Sequence, residues 1–466
     1  MSTDCSSNSN CTESTRLLPG EDDKRCPSYH GGEGDDREVL QPAHVTTTTR
    51  FWILAVFCVL SWVQGVQWNT WGPISESMGA AFPGWGASTV AMMANWGTIM
   101  FVVFVFPMSW ATQRYSLRAG VVASAALIFV GTSLRCFTRT VPTFTILCHV
   151  CAVLVGVAST FVLSAPPLVA SHWFPPQERT TALALMFGAS QLSGVGSYLE
   201  PLLVRLPTPH ASILDIQEDV MLVLYIGAGV SGALLVAVII YFPSKPPTPP
   251  SFTSATARLE FFTSFSALAK NGRWLVLVVT YGVVVGPSIA WGSVLNYSLL
   301  PLGLHQDEAM WVAQTAMIVS SISPVVSGRF TDLFHGHVRT SLVLLLLATT
   351  FCYFWFLLLT YGVIPLTKWQ VYASVVGGTA FNYATIPLFY EMGVDLAYPA
   401  PEILVSGAIT AADNLISIFF FLVFFIPNVG YQWMTYTLVF STSVSILPLL
   451  LIRFRYTRST IDAQQV

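Results

Sequence analysis

From Phe51 onward the chain is a succession of apolar runs, each long enough to cross a bilayer and separated by short segments rich in Gly, Pro and polar residues. A spanning helix takes about 20 apolar residues. Lipid offers backbone N–H and C=O groups no partner but one another, so runs of this kind fold as helices. Twelve spans are expected, at 51–75, 88–111, 119–135, 142–168, 180–204, 219–242, 274–297, 309–328, 340–362, 369–391, 403–426 and 431–453. Charged residues make up 10% of the chain and hydrophobic ones 53%, whereas a soluble chain carries about 25% charge. The expected fold class is therefore an all-α membrane protein of twelve transmembrane helices, with the lipid bilayer as its first partner. Little chain is left for a separate catalytic domain, which excludes most soluble enzymes. A net charge of −3 with scattered basic residues excludes an obvious nucleic-acid partner.

Two composition shifts divide the chain. Residues 1–50 hold 9 acidic and 5 basic side chains with few large apolar ones, and such a segment reads as a disordered tail. Within the apolar region one loop is long, 243–273, opened by Phe242-Pro-Ser-Lys-Pro-Pro-Thr-Pro-Pro250. It separates an N-terminal six-helix half, 51–242, from a C-terminal half, 274–453, and 454–466 forms a short tail. The two tails and the even-numbered loops hold 17 of the 21 Lys and Arg. Basic segments stay cytoplasmic, so both termini and the central loop are expected there. With no apolar stretch before Phe51, the first helix is expected to be an uncleaved anchor.

Two halves of six spans is the plan of many secondary transporters, whose solute lies near the midplane between the halves. After the eighth span comes Gly328-Arg-Phe-Thr-Asp332-Leu-Phe-His-Gly-His-Val-Arg339. Its Gly328 permits close helix approach, and Asp332 is placed to cap or pair with Arg339 and neighbouring helix ends. These three residues are expected to form a breakable polar latch at a gate. The corresponding stretch after the second span reads Gln113-Arg-Tyr-Ser-Leu-Arg118, with an amide in place of the acid. Gly227-Ala-Gly229-Val-Ser-Gly232 lies inside an apolar run with no strand before it, so it signals helix packing rather than a dinucleotide site. Cys148-His-Val-Cys151 lacks the setting of a redox or haem-attachment pair. Nothing in the sequence calls for a metal or other cofactor, and no catalytic constellation is present.

Polar residues that interrupt apolar helices carry the functional expectation, because an unpaired amide in hydrocarbon is costly and turns toward the bundle interior. Gln64, Trp68 and Asn69 stand in the first span, with Gln64 and Trp68 on one face at i, i+4. Gln191 stands in the fifth, Tyr281 and Trp291 in the seventh, Asn382 in the tenth and Asn414 in the eleventh. Together they are expected to line a pocket of aromatic walls and amide groups suited to a small polar aromatic or cationic solute. Two titratable groups, His149 in the fourth span and Asp413 in the eleventh, are the candidates for proton coupling.

The strings Val63-Gln-Gly-Val-Gln-Trp-Asn-Thr-Trp-Gly-Pro-Ile74, Trp173-Phe-Pro-Pro-Gln-Glu-Arg179, Tyr241-Phe-Pro-Ser-Lys-Pro-Pro-Thr-Pro-Pro250 and Tyr398-Pro-Ala-Pro-Glu402 resemble the feline-leukaemia-virus-subgroup-C-receptor-related branch of the major facilitator superfamily. The resemblance runs from about Phe51 to Tyr456. It implies a small-molecule transporter of the lysosomal membrane, with proton-driven pyridoxine efflux expected and choline, ethanolamine or haem as the cargo of relatives. The choline carriers' Trp, Gln and Gln ligands fall here on Trp68, Gln191 and the shorter Asn414. Ser288-Ile289 replaces their aromatic pair in the seventh span. A histidine in the fourth span of the resembled lysosomal member corresponds to His149. Glu13-Ser-Thr-Arg-Leu17-Leu18 agrees with that address, since Glu13, Leu17 and Leu18 fit an acidic dileucine signal read by a clathrin adaptor. A non-transporting membrane sensor is the reading from a different class.

Overall fold

The structure is a computed structural model that describes residues 47–451, apart from 198, 206, 208–211, 252–258, 300–301, 304–305, 334–336, 424–425 and 427–429. The dileucine segment at Glu13, Leu17 and Leu18 and the tail 454–466 lie outside the described residues. The N-terminal half is built from α1 (Thr49–Asn69), the short α2 (Ser75–Ala81), α3 (Ala87–Arg114), α4 (Leu117–Leu134), α5 (Val141–Ser164), α6 (Pro166–Trp173), α7 (Arg179–Ser197) and α8 (Ile213–Ile240). The central loop contains α9 (Phe261–Lys270). The C-terminal half follows with α10 (Gly272–Ser293), α11 (Leu295–Leu299), α12 (Gln306–Leu333), α13 (Val338–Thr360), α14 (Lys368–Ala384), α15 (Ile386–Ala397), α16 (Glu402–Leu422) and α17 (Gln432–Leu451).

Each expected span falls on one of these helices or on a pair of them. Among the described residues, nine are long and apolar enough to cross a bilayer. The others, α7, α12 and α14, are more polar or shorter, with Arg329 and Asp332 inside α12 and 17 residues in α14. The differences from expectation have local causes. The fourth span breaks at Ala165, ahead of Pro166 and Pro167, and the tenth at Thr385, ahead of Pro387, because Pro supplies no helical N–H. The fifth ends at Ser197 rather than 204, which leaves Glu200 in a short 3-10 turn beyond the helix. The central loop is helical where Phe262 and Phe265 form the exposed apolar side of α9, a pattern suited to a membrane surface.

Packing repeats between the halves. In the first, α1 lies on α7, α3 on α5, and α4 on both α5 and α8; in the second, α10 lies on α16, α12 on α14, and α13 on both α14 and α17. The halves meet through α7 with α12 and through α3 with α16, contacts that a two-fold exchange of the halves would interchange. The apolar core has the same logic. At the end that carries the central loop, a single cluster draws on both halves, including Leu60, Phe161 and Trp173 with Trp274, Phe389 and Leu404. Toward the opposite end the core divides. One cluster, around Trp71, Phe82, Trp85 and Phe144, belongs to the N-terminal half, and another, around Trp291, Tyr353 and Phe356, to the C-terminal half. The bundle is fused at the central-loop end and split at the other.

Candidate functional site

Small residues bring the halves together at the fused end. A Cβ on Gly188 of α7 would stand 2.6 Å from the Ser321 carbonyl of α12, and one on Gly328 of α12 would stand 2.8 Å from the Thr180 carbonyl of α7. At the foot of this contact Asp332 accepts from the Thr181 backbone N–H (2.7 Å), the Thr181 hydroxyl (2.6 Å) and the Thr180 N–H (3.3 Å). A carboxylate thus caps the N-terminus of a helix in the other half. Arg339 does not join it. Its Nε donates to the Leu449 carbonyl (2.7 Å) and its guanidinium also bonds Leu450, so it closes the C-terminal end of α17 within its own half. The expected latch is therefore corrected in its partners: Asp332 crosses the interface and Arg339 does not.

On the other side of the fused end the chemistry differs. Ser406 of α16 donates to the Ser164 carbonyl at the end of α5, and Ser109 of α3 donates to the Ile403 carbonyl (3.4 Å). Gln113 donates to the Leu259 carbonyl (2.7 Å), while the Leu259 N–H donates to the Pro399 carbonyl (3.3 Å). The central loop is thereby clipped to both halves. No acid from α3 caps α16; instead α16 carries Glu402 in its own first turn.

The polar residues of α1 occupy the split end of the N-terminal half. The Trp68 ring lies directly over Gly97 of α3, where a Cβ would come within 2.0 Å of it. With Gln67, Trp71, Met93, Cys151, Ala152 and Val155 they line a small cavity. Gln67 accepts from Arg135 at the end of α4, and the Arg135 guanidinium lies 5.4 Å from the Trp71 ring centre. Gly227 makes room for both Gln67 and Arg135, the packing role expected of that glycine cluster. Trp71 also packs on Trp85 at 5.0 Å. Gln64 is buried with its amide nitrogen unpartnered. Asn69 is exposed and donates to its own helix at Gly65 (2.9 Å).

His149, on α5, accepts at Nδ1 from the Trp96 indole N–H (3.0 Å). Trp96 neighbours Gly97, on which Trp68 rests, so the histidine is one residue removed from the cavity wall. A proton on Nδ1 would cost the Trp96 bond. In the C-terminal half, Asp413 is buried and lies near enough to Tyr281, Tyr383 and Tyr390 to act on each electrostatically. Tyr390 shares a 2.5 Å hydrogen bond with Thr410 and packs at 4.7 Å on Phe187 of the N-terminal half. The group therefore sits at the seam between halves.

The expected eight-residue pocket does not close as a unit. Trp68 alone of the eight lines the cavity. Trp291 is fully buried against Tyr353 and Phe356 and donates to Ser298 (2.9 Å), so it serves the core of its own half. Asn414 donates to Thr410 one turn back (2.8 Å), Asn382 donates to the Val284 carbonyl of α10 (3.2 Å), and Gln191 is half-buried on α7. Gln67, Trp71, Trp96, Arg135, Tyr383 and Tyr390 are the members that sequence reasoning passed over. Gln67 and Trp71 stood inside a string already singled out, but Arg135 at the end of an apolar run has the appearance of an ordinary interfacial cation.

Two pseudo-equivalent halves of membrane-spanning helices, fused at one end and holding buried polar and aromatic groups between and beside them, define a secondary transporter of the major facilitator type. The Major Facilitator Superfamily model matches residues 53–422. The Solute carrier family 49 member 4 homolog of Xenopus tropicalis is 31% identical over 426 residues, which is 89% of this chain and 93% of that protein. The Choline/ethanolamine transporter FLVCR1 of Felis catus is 26% identical over 87% of this chain and 71% of that protein. Among solved structures, the transporter FucP in an outward conformation superposes with a TM-score of 0.68 at 13% identity, covering 86% of this chain and 99% of FucP. The proton:xylose symporter XylE gives 0.64 at 14%, covering 86% and 95%. The chain belongs to the Major Facilitator Superfamily and, within it, to solute carrier family 49. It is a multi-pass membrane transporter for a small molecule and not an enzyme.

Proposed function

We propose that this transporter exports a vitamin-sized organic solute from an acidic compartment, with proton-driven pyridoxine efflux across the lysosomal membrane as the specific reading. The central-loop end faces the cytosol in this reading, in accord with the distribution of basic residues. The fused core and the Asp332 cap then describe a state closed to the cytosol. The observation that carries the reading is the makeup of the wall at the split end, where Trp68, Trp71 and Gln67 line a cavity of about 10 Å³, room for no more than a water in this state. Its aromatic and amide groups are of the kind that stack on and hydrogen-bond a planar ring with hydroxyl groups once the wall opens to it. His149, joined to that wall through Trp96, is the proposed proton carrier, and Asp413 is the second candidate. Choline or ethanolamine is the alternative cargo, favoured by the names of the FLVCR relatives and by the cationic preference of indole faces. The dileucine segment at Glu13, Leu17 and Leu18 is the proposed lysosomal address.

The test is uptake of radiolabelled pyridoxine and, separately, choline by sealed proteoliposomes, with and without an imposed pH gradient. Pyridoxine accumulation that follows the proton gradient supports the proposal. Choline movement indifferent to the gradient favours the alternative cargo, and binding without movement of either marks a sensor.

A further inference from the structure

We propose that Glu200, faced by Arg135, is a proton-binding site of this chain separate from His149 and Asp413, and that it acts on the Trp68 cavity through Gln67 and Trp71. Glu200 lies past the end of α7, outside the spanning helix, yet only 8% of it is exposed. Its Oε1 accepts from the Thr70 hydroxyl at the end of α1 (3.1 Å), and its Oε2 has no partner. Arg135 is 1% exposed; one Nη serves Gln67, while Nε and the other Nη are unpartnered. The two ions are not paired in contact, so each is a buried charge with an incomplete shell, and each acts on the other through the field alone.

A proton resolves the cost for Glu200. It converts the carboxylate to a carboxylic acid, leaves Oε1 free to keep the Thr70 bond and breaks nothing else. Burial pushes this carboxyl up to about 7, against the opposing pull of Arg135 and the Thr70 hydroxyl. Among the described residues Arg135 is the only charged side chain acting on it. Arg205 pairs with Asp215 and Asp219, and Arg139 with Glu218, on the solvent rim at this end. The other titratable groups near Arg135 are the thiols of Cys136, Cys148 and Cys151. Once Glu200 is neutral, Arg135 keeps its charge with Gln67 and Trp71 as its remaining holds, and both line the cavity. Protonation at the split end thus alters the electrostatics of the solute wall without moving the fused end.

The readout needs no knowledge of the solute. Infrared difference spectra of the purified full-length protein, taken from about pH 5 to about pH 8, follow the C=O band of a protonated carboxylic acid. The parent is expected to show such a band with a midpoint near 7. Glu200→Gln should abolish it, whereas His149→Gln and Asp413→Asn should leave it in place. Arg135→Gln should move the midpoint upward by about one pH unit or more, because an attractive charge is removed. If Glu200→Gln does not fold, Glu200→Asp keeps the band with an altered midpoint. A parent without the band, a band that survives in Glu200→Gln, or a midpoint unmoved by Arg135→Gln would overturn the assignment. Failure to transport pyridoxine or choline would count against the proposed function and leave this result standing.

Discussion

At the scale of single residues, α1 separates two tryptophans that look alike in sequence. Trp68 is half-buried on a glycine and borders the cavity; Trp71 is 4% exposed, wedged among Trp85, Phe144 and the Arg135 guanidinium. Trp68→Ala is expected to weaken solute binding by about tenfold, the loss of a stacking contact of roughly 1.4 kcal/mol. Trp71→Ala is expected to lower stability by about 3 kcal/mol or more through the void it leaves. Equilibrium binding and thermal unfolding in detergent distinguish them, and equal affinity in Trp68→Ala and the parent would reduce Trp68 to a packing role. Gly97→Ala should imitate Trp68→Ala by displacing the ring. His149→Gln retains an acceptor for the Trp96 N–H but has no titrating nitrogen. On the proposed proton coupling, it is expected to keep binding while the dependence of net transport on pH becomes shallower, with Asp413→Asn doing less; a steep profile in the first and a flat one in the second would transfer the role. Gln64 and Trp68 were legible as interior residues because an amide is expensive in lipid and the two share a helix face, whereas Gln67 was not singled out. Nor was the partner of Gln67, since Arg135 is 68 positions from it and only the packing of α1 beside α4 and α8 brings them together.

At the scale of elements, apolar length placed the helices, and proline placed their interruptions. The breaks at Ala165 and Thr385 occupy corresponding spans of the two halves, a symmetry hidden in sequence because Pro166-Pro167 and Ile386-Pro387 share little else. The latch was legible in half. Asp332 was recognisable from its spacing to Gly328, but its true partner, the start of α7, is 151 residues away from it at Thr181. Charge-assisted hydrogen bonds contribute about 1.5–3 kcal/mol, so Asp332→Asn should raise the population of the state open at the central-loop end by about tenfold or more. Solute affinity should change little, because no cavity residue touches this contact, while the rate of exchange changes. A pure loss of affinity with unchanged exchange kinetics would contradict the gate assignment. Gly328→Val tests the same element sterically: the added side chain meets the Thr180 carbonyl and should separate α7 from α12.

At the scale of the whole molecule, the closed end rests on two patches that any rocking of the halves must break together. One is the Gly188, Gly328 and Asp332 contact of α7 with α12; the other is the contact of α3 with α16, reinforced by Gln113 holding the central loop at Leu259 and by Leu259 holding Pro399. The patches are related by the pseudo-two-fold exchange of the halves, yet their chemistry has diverged. The first uses a carboxylate to cap a helix of the other half. The second replaces that carboxylate with an amide and leaves α16 with its own Glu402. The amide therefore binds the loop rather than the opposite helix, and the central loop becomes a third participant in closure. If the two patches act independently, the free energies lost by Asp332→Asn and Gln113→Ala should add. Spin labels at Ala119 in the first half and Thr340 in the second, both exposed on this end, report the separation of the halves. Each single substitution is expected to increase the long-distance population, and the double substitution to increase the open-to-closed ratio by the product of the two single factors. A double variant no more open than Asp332→Asn alone would show that the α7–α12 patch governs closure and that the clipped loop merely follows it.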